Sequence, residues 1–281
     1  MMIMNKLNVC LTHDIDRVRK THQYLTKDLK KGRWRNLKTL ITGEQPYWTF
    51  DDMAELESKY DARSTLFFLH ETIPFKPLKP GTWKLSVGRY SIREPEIGKL
   101  IRQLDAGGWE IGLHGSYRSF QDQSLLATEK KILEDMLGNQ VTGIRQHYLN
   151  LDEPDTWMLQ RKAGFTYDTS LGRTDTSGYK DGRTAPFVDE ISGMNIIPLT
   201  IMECCLFKEV ENNKQNALKR AVEWMDYSQK TATFFTILWH QHMLNEKEFP
   251  GYRWVYEEIL KECRRRHARF WLCRDIDESL G

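Results

Sequence analysis

Short apolar segments alternate with amphipathic segments along nearly the whole of this chain. The apolar segments are four to seven residues long and rich in β-branched and aromatic residues, which predicts buried strands. They are Leu7–Thr12, Ser64–Leu69, Trp109–Leu113, Val141–Gln146, Phe165–Asp168, Asn195–Ile201, Thr233–Trp239 and Ala268–Cys273. Strands that alternate with helices form a mainly parallel sheet.

Between these strands, apolar residues recur at helical spacing and are flanked by start and stop signals. The segment that follows Arg93 has Pro95 in its first turn and stops at Gly107. Similar patterns predict helices over 49–60, 120–138, 152–164, 214–228 and 252–266. We therefore expect an α/β fold in one domain spanning 1–281, a closed or incomplete (β/α) barrel with about seven or eight mainly parallel strands. The polar segment 172–189 predicts a long loop, which could be a substrate lid.

Composition narrows the class of protein. With 40% hydrophobic and 28% charged residues among 281, the chain is typical of a soluble globular protein. No apolar run approaches the roughly 20 residues of a membrane span, and the first residues lack the features of a signal peptide, so we expect a cytoplasmic protein. The five cysteines show no metal-binding or redox spacing, which indicates reduced, buried thiols.

A basic segment follows the first predicted strand. Residues 17–38 contain nine lysines and arginines and one acid, within an insertion at about 17–48. The segment is either a solvated helix or loop, or a patch that binds a phosphate-bearing substrate or anionic lipid at the inner face of a membrane. We expect no nucleic-acid partner, because only Tyr24 and Trp34 are interleaved with the basic residues and no recognition motif is present.

Ionisable residues directly follow the predicted strands. The first strand ends on His13, Asp14 and Asp16. The later strands end on or are followed by His70, His114, Arg145, His147, Tyr148, Asp168, His240 and His242. In a parallel barrel these strand ends lie on one face, where active sites are built. A carboxylate with imidazoles and no cysteine suits a catalytic Zn²⁺ or a similar divalent ion, and a further carboxylate can act as general base.

Six short motifs, in their order along the chain, resemble those of the polysaccharide deacetylases, the NodB-homology enzymes of carbohydrate esterase family four. They are THDID, TLFFLH, EIGLHGSY, GIRQHY, YDTS and ILWH, between about Leu7 and His242. The resemblance is greatest to a bacterial subgroup found among surface-polysaccharide and lipopolysaccharide biosynthesis proteins. It implies a distorted β/α barrel that binds one divalent metal ion and hydrolyses N-acetyl groups.

The resemblance also implies roles for individual residues. Asp14 matches the family's general base, and Arg145 matches the arginine that orients this base. Tyr148 matches the tyrosine whose backbone N–H helps to hold the oxyanion. His240 matches the general acid that protonates the leaving amine, and Asp168 matches the acid that tunes this histidine.

The metal ligands depart from the family's pattern. Asp16 and His114 match the metal-binding carboxylate and the first histidine, but Arg118 stands four residues later, where the family's second histidine usually lies. Because arginine cannot bind zinc, we expect His147, which stands where many members have proline, to complete a triad with Asp16 and His114. The alternative third ligands are His13, Ser116, His242 and His70. Zinc is the first candidate metal, and cobalt, nickel and iron are the others.

We therefore expect metal-dependent hydrolysis that releases acetate from an N-acetylated sugar. In the cytoplasm, the substrate would be a lipid-linked or nucleotide-linked precursor rather than finished cell wall. Two rival hypotheses remain. One is a catalytically inactive glycan-binding or assembly protein, which Arg118 makes conceivable. The other is a related barrel hydrolase that cuts another C–N bond, as in a cyclic ureide or a formylated sugar. The sequence does not indicate the oligomeric state.

Overall fold

A computed structural model describes residues 5–24, 28, 32, 42–79 and 82–281. These residues form one ten-stranded sheet surrounded by helices. The strands are β1 (Asn8–Ile15), β2 (Thr65–Leu69), β3 (Glu110–Gly115), β4 (Gly143–Gln146), β5 (Tyr167–Asp168), β6 (Phe187–Val188), β7 (Asn195–Ile196), β8 (Ile201–Met202), β9 (Phe234–Leu238) and β10 (Arg269–Trp271). Strands and helices alternate along the chain, so the predicted α/β class is confirmed.

The helices begin and end largely where the sequence signals lie. They are α1 (Phe50–Lys59), α2 (Trp83–Ser86), α3 (Pro95–Ala106), α4 (Gln123–Leu137), α5 (Asp155–Lys162), α6 (Glu203–Glu209), α7 (Lys214–Thr231), α8 (Tyr252–Arg265) and α9 (Cys273–Leu280). At the start of α4, the Asp122 side chain accepts a hydrogen bond from the Leu125 backbone N–H. The helix ends at Gly138, whose φ of 86° is a left-handed conformation that glycine adopts without strain.

The sheet curls into a nearly closed barrel. Its strand order is β6-β7-β5-β4-β3-β2-β1-β9-β8, and all neighbours are parallel except β6 and β7. The predicted strand Asn195–Ile201 is split, because its first part, β7, pairs with β5 and its end lies in β8, which pairs with β9. Five Cα steps separate β7 from β8, and they reach at most about 18 Å. The two ends of the sheet must therefore lie close together.

A short irregular segment closes this gap. The Ile197 N–H donates to the Asp168 carbonyl at 2.9 Å, and the Thr200 N–H donates to the Thr236 carbonyl at 2.9 Å. The segment thus hydrogen-bonds to the sheet on both sides without forming a strand of its own. The predicted distorted (β/α) barrel is confirmed, and the distortion lies at this closure.

An apolar plug fills one end of the barrel. β10 pairs with residues 8–10 at the start of β1, whereas β2 pairs with residues 12–15. The helix α9 follows β10 and packs into a buried cluster with side chains from the barrel interior. This cluster consists of Cys10, Phe67, Tyr167, Ile197, Cys273 and Ile276. The ionisable residues that follow the strands lie at the opposite end of the barrel, and Glu110 is a buried carboxyl group at this end.

Only part of the basic segment is described. Arg17 donates to the Val87 carbonyl, Arg19 pairs with Glu94 at 2.7 Å, and the buried Lys20 contacts Asp28 and Glu248. Its other basic residues, Lys27, Lys30, Lys31, Arg33, Arg35 and Lys38, lie outside the described residues. Membrane contact and the bounds of the insertion stay predictions. No helix in the described part of the chain is long and apolar enough to span a membrane.

Candidate metal centre

The alternation of side chains along the strands gathers the site residues. Neighbouring residues of a strand face opposite sides of the sheet. Asp14 of β1, His114 of β3 and Arg145 of β4 therefore share the inner side of the barrel, while His13 faces outward. A cavity of about 270 Å³ opens at these strand ends. It is lined by Asp14, Asp16, His114, His147, Tyr148, Leu149, Thr174, Met202, Cys204, Leu238 and His240.

Asp16, His114 and His147 lie together and could form a metal site. One ligand atom from each lies within 4.8 Å of the other two. The Nε2 atoms of His114 and His147 are 3.2 Å and 3.5 Å from Oδ1 of Asp16. The Nδ1–H of His114 donates to the Arg145 carbonyl at 2.9 Å, which leaves Nε2 of His114 directed at the cluster. Two imidazoles and one carboxylate are a donor set that catalytic zinc uses.

A carboxylate oxygen of Asp16 that lacks a hydrogen bond among the described residues supports the assignment of these residues as metal ligands. Its Oδ1 is buried and makes no hydrogen bond within the described part of the chain. Burial raises the pKa of Asp16, but His147 and His114 outweigh burial and hold the pKa well below its usual value. The carboxylate is therefore ionised at neutral pH, and a buried anion calls for a cation. The three residues fit a divalent ion. Arg118 is exposed and does not line the cavity.

Asp14 forms a separate ion pair beside this cluster. Its Oδ1 accepts a hydrogen bond from NH1 of the fully buried Arg145 at 2.9 Å. The guanidinium is held from its other side by the carbonyl and hydroxyl of Thr169. Burial raises the pKa of Asp14, but His114 and Arg145 outweigh it, so the pKa is lowered. Asp14 is thus an ionised carboxylate with a fixed orientation, as a general base requires.

His240 lies across the cavity and is paired with Glu203. Its Nδ1 is 2.6 Å from Oε1 of the fully buried Glu203, and its Nε2 is 3.8 Å from Oδ2 of Asp16. Burial lowers the pKa of His240, but the negative charges of Glu203, Asp16 and Asp14 outweigh burial and raise it to about 10. Sequence reasoning missed Glu203, although it is the first ionisable residue after the predicted strand Asn195–Ile201.

The role predicted for Asp168 is wrong. Tyr167 uses the inner side of β5, where its hydroxyl donates to Glu110, so Asp168 faces outward. There its carboxylate accepts hydrogen bonds from Gln160 at 2.8 Å and from the Ser170 hydroxyl at 2.6 Å. Burial raises the pKa of Asp168, although these hydrogen bonds oppose the rise. Asp168 therefore forms its hydrogen bonds on the outer side of the sheet, and among the described residues it does not contact His240.

Tyr148 lies at the mouth of the cavity. Its backbone is left-handed, with a φ of 62°, and its ring is 54% exposed. The ring meets Tyr117 edge to face, with 5.7 Å between the ring centroids. The structure therefore places Tyr148 where the prediction needs it, and the oxyanion role of its N–H stays a prediction.

The alternative third ligands lie elsewhere. None of the four lines the cavity. His13 contacts Glu57 on the outer side of β1 at 2.7 Å. His242 packs between Tyr47 and Phe249. The Ser116 backbone N–H donates to a buried glutamate. His70 is half-buried, and burial and Arg93 lower its pKa.

Comparison with solved structures identifies the fold. No protein-family model matches the sequence, and no curated protein sequence is similar to it. A protein named a polysaccharide deacetylase, from Mycobacterium smegmatis, superposes with a TM-score of 0.64 and 15% identity, covering 100% of this chain and 92% of its own. The Puue allantoinase gives 0.62 and 14%, with coverage of 99% and 91%. The chitin deacetylase of the fungal pathogen Colletotrichum lindemuthianum gives 0.54 and 14%, with coverage of 99% and 91%.

These likenesses show that the chain has the fold of the polysaccharide deacetylases, as the sequence motifs predicted. At identities of 14–15% they show nothing finer than the fold. The surface-polysaccharide subgroup stays a prediction.

Proposed function

We propose that this chain is a member of the polysaccharide deacetylase family that hydrolyses the N-acetyl group of an N-acetylated sugar and depends on one divalent metal ion, with zinc as the first candidate. One observation carries the proposal. Asp14, which Arg145 holds, the cluster of Asp16, His114 and His147, and the cationic His240 all line the same cavity. Amide hydrolysis needs a general base, a set of metal ligands and a general acid around one cavity.

The attack on the amide would use Asp14. An ion held by Asp16, His114 and His147 would polarise the amide carbonyl and acidify water in the site. Asp14, ionised and held by Arg145, takes a proton from the attacking water. The Tyr148 N–H stabilises the oxyanion that forms on the former carbonyl oxygen.

The departure of the amine would use His240. Glu203 accepts the Nδ1–H of His240, so the other ring nitrogen can give its proton to the amine nitrogen as the C–N bond breaks. Glu203 takes the tuning role that the resemblance implied for Asp168. The carbonyl product leaves as acetate and passes its own proton to the amine of the sugar. The proton on Asp14 then passes to His240, which restores the ionised carboxylate and the imidazolium.

The substrate would belong to a polysaccharide or glycolipid precursor, linked to a lipid or a nucleotide. The basic residues of 17–38 support an anionic linkage. This part of the proposal includes a cytoplasmic location and contact with an anionic membrane surface.

The first experiment is the metal content of the purified protein by elemental mass spectrometry. We expect about one ion per chain in the wild type and in Arg118→Ala, and loss of metal in His114→Ala and His147→Ala. Full metal content in His147→Ala would remove His147 from the triad. A wild type that takes up no metal after reconstitution would contradict the hydrolase and favour the glycan-binding alternative.

A second candidate is hydrolysis of another C–N bond, in a cyclic ureide or a formylated sugar. The fold likeness to an allantoinase, at a TM-score of 0.62, favours keeping it. A screen of the metal-loaded protein against acetylated sugars, formylated sugars and cyclic ureides separates the two. Acetate release alone supports the deacetylase, while turnover of a ureide or release of formate supports the second candidate.

A further inference from the structure

The two histidines of the cluster differ in what holds their second ring nitrogen. Nδ1 of His114 has a backbone carbonyl as its acceptor. Nδ1 of His147 is buried and makes no hydrogen bond to any described residue, although the residue is only 3% exposed. A buried donor without an acceptor is destabilising, because it has lost its hydrogen bonds to water and gained none in return. A histidine that binds metal through Nε2 carries its proton on Nδ1, so His147 needs an acceptor there.

The side chain of Glu71 can supply this acceptor. Its Oε2 lies 3.9 Å from Nδ1 of His147, and its side chain is 1% exposed. The backbone N–H of Tyr117 donates to Oε2 and that of Ile73 donates to Oε1, both at 3.1 Å. These two bonds fix the carboxylate on the far side of the ring from Asp16. A shift of about 1 Å would bring the pair to the length of a charge-assisted hydrogen bond.

We propose that Glu71 is the positioning residue of the metal centre: its carboxylate accepts the Nδ1–H of His147 and so presents Nε2 to the metal. This inference rests on the metal cluster proposed above. It explains how a histidine in an unusual sequence position can act as a ligand, because the chain supplies an orienting carboxylate from the loop after β2.

One of the two polar neighbours of Nε2 favours this tautomer, while the other, Oδ1 of Asp16 at 3.5 Å, would share the metal ion with Nε2. NH2 of Arg89 lies 3.5 Å from Nε2 of His147. A guanidinium only donates hydrogen bonds, so its approach disfavours a proton on Nε2 and favours one on Nδ1. The Nδ1–H then points towards Glu71. Carboxylate, imidazole and metal would form the chain of contacts that commonly supports histidine ligands.

The test is the affinity of the apo-protein for Zn²⁺ and Co²⁺, measured by competition with a chromophoric chelator. We expect Glu71→Ala to weaken binding by about 10–100-fold, the usual effect of removing such a carboxylate. Glu71→Gln should lose less, because its amide oxygen can still accept the proton. Glu110→Gln is the matched control, since it changes a buried glutamate at the other end of the barrel, beside Tyr167 and α9, and it should leave the affinity unchanged.

A double-mutant cycle separates orientation of His147 from a general effect of charge or folding. In a His147→Ala background, adding Glu71→Ala should not weaken binding further. An equal loss in both backgrounds would overturn the inference, as would wild-type affinity in Glu71→Ala. These outcomes differ from failure of the proposed function, in which the wild type itself binds no metal. The ¹⁵N shifts of His147 in the zinc-loaded protein should report a proton on Nδ1, and a proton on Nε2 would contradict the proposal.

Discussion

Neighbouring residues of β1 form buried ion pairs on opposite sides of the sheet, and only one of these pairs belongs to the candidate site. On the outer side, His13 contacts Glu57 through Nε2 at 2.7 Å and the Trp239 carbonyl through Nδ1 at 2.5 Å. Both partners are hydrogen-bond acceptors. On the inner side, Asp14 contacts Arg145 at 2.9 Å.

The two carboxylates differ in the use of their lone pairs. Glu57 also accepts hydrogen bonds from Trp109, Ser64 and Tyr256, at 2.7, 2.9 and 2.8 Å. Its oxygens are fully engaged by the protein. Asp14 is held by Arg145 through Oδ1, while its Oδ2 lies 3.6 Å from Nε2 of His114, beyond hydrogen-bond length, and the residue lines the cavity. Both carboxylates are therefore buried and paired. They differ in that Asp14 keeps one oxygen available to the cavity that it lines, and this suits Asp14 to chemistry.

The largest expected effect is on catalysis, in Asp14→Asn. Asparagine keeps the shape of the side chain but cannot take a proton from water, so kcat should fall by about 10²–10⁴-fold. The metal content should stay near that of the wild type, while the midpoint of thermal unfolding should fall, because the fully buried Arg145 loses its carboxylate partner. Acetate release measured on the metal-loaded protein checks this, and wild-type turnover would show that Asp14 is no more a reacting group than Glu57.

The outer pair should respond in the opposite way. His13→Ala leaves the carboxylate of Glu57 buried without its cation, which should cost about 3–5 kcal/mol of unfolding free energy. Metal binding and turnover per folded molecule should be unchanged. Urea unfolding measures the loss, and the double variant H13A/E57Q should regain part of it. Loss of metal in H13A would place His13 in the site and break the comparison.

The fold followed from the sequence where burial is strong along a whole strand. Thr65–Leu69 and Phe234–Leu238 were predicted because nearly every residue is apolar. The predicted strand Asn195–Ile201 failed because its middle residues bond to both edges of the sheet, and only the closed barrel brings those edges together. The two-residue strand β6 carries no local pattern at all.

The sequence predicted those parts of the candidate site that depend on where strands end and on the alternation of side chains along a strand. Asp14, Asp16 and His114 line one cavity, as their positions at strand ends predicted, and their roles stay predictions. Alternation along β1 separates His13 from Asp14, although their shared position at the end of the first strand had grouped them. The resemblance implied that Asp168 tunes His240, whereas in the structure Glu203 pairs with His240. This difference depends on where the irregular segment between β7 and β8 turns, and no local sequence pattern shows that turn.

Removal of the partner of His240 should have an intermediate effect. Glu203→Gln deletes the strongest of the negative charges that raise the pKa of His240 to about 10, so this pKa should fall. A general acid works only while protonated, so the alkaline limb of kcat should move to lower pH. We expect the loss of kcat to be small at acidic pH and to grow as the pH rises through the lowered pKa. A pH profile with an unmoved alkaline limb would show that another group is the acid.

A third buried carboxylate sharpens the comparison because it has no cationic partner. Oε2 of Glu129 accepts only the Ser116 N–H, at 3.1 Å, and Oε1 has no hydrogen-bond partner among the described residues. Burial raises the pKa of Glu129 to about 8, against the opposing bonds from Ser116. By contrast, His13 and the other donors around Glu57 outweigh burial and lower the pKa of Glu57.

The last expected effect is a change in how stability depends on pH, in Glu129→Gln, with no effect on metal binding. Between the unfolded pKa of about 4.3 and the folded one, the native state keeps a proton that the unfolded chain has lost. The wild type should lose about 1.4 kcal/mol of unfolding free energy for each unit of rising pH in this window because of Glu129. Glutamine stays neutral, so the variant should lack this slope when urea unfolding is followed from pH 5 to pH 8. Asp135→Asn, an exposed acid on the same helix, is the control and should keep the wild-type slope, and an unchanged slope in Glu129→Gln would show that burial alone does not hold this carboxyl group neutral.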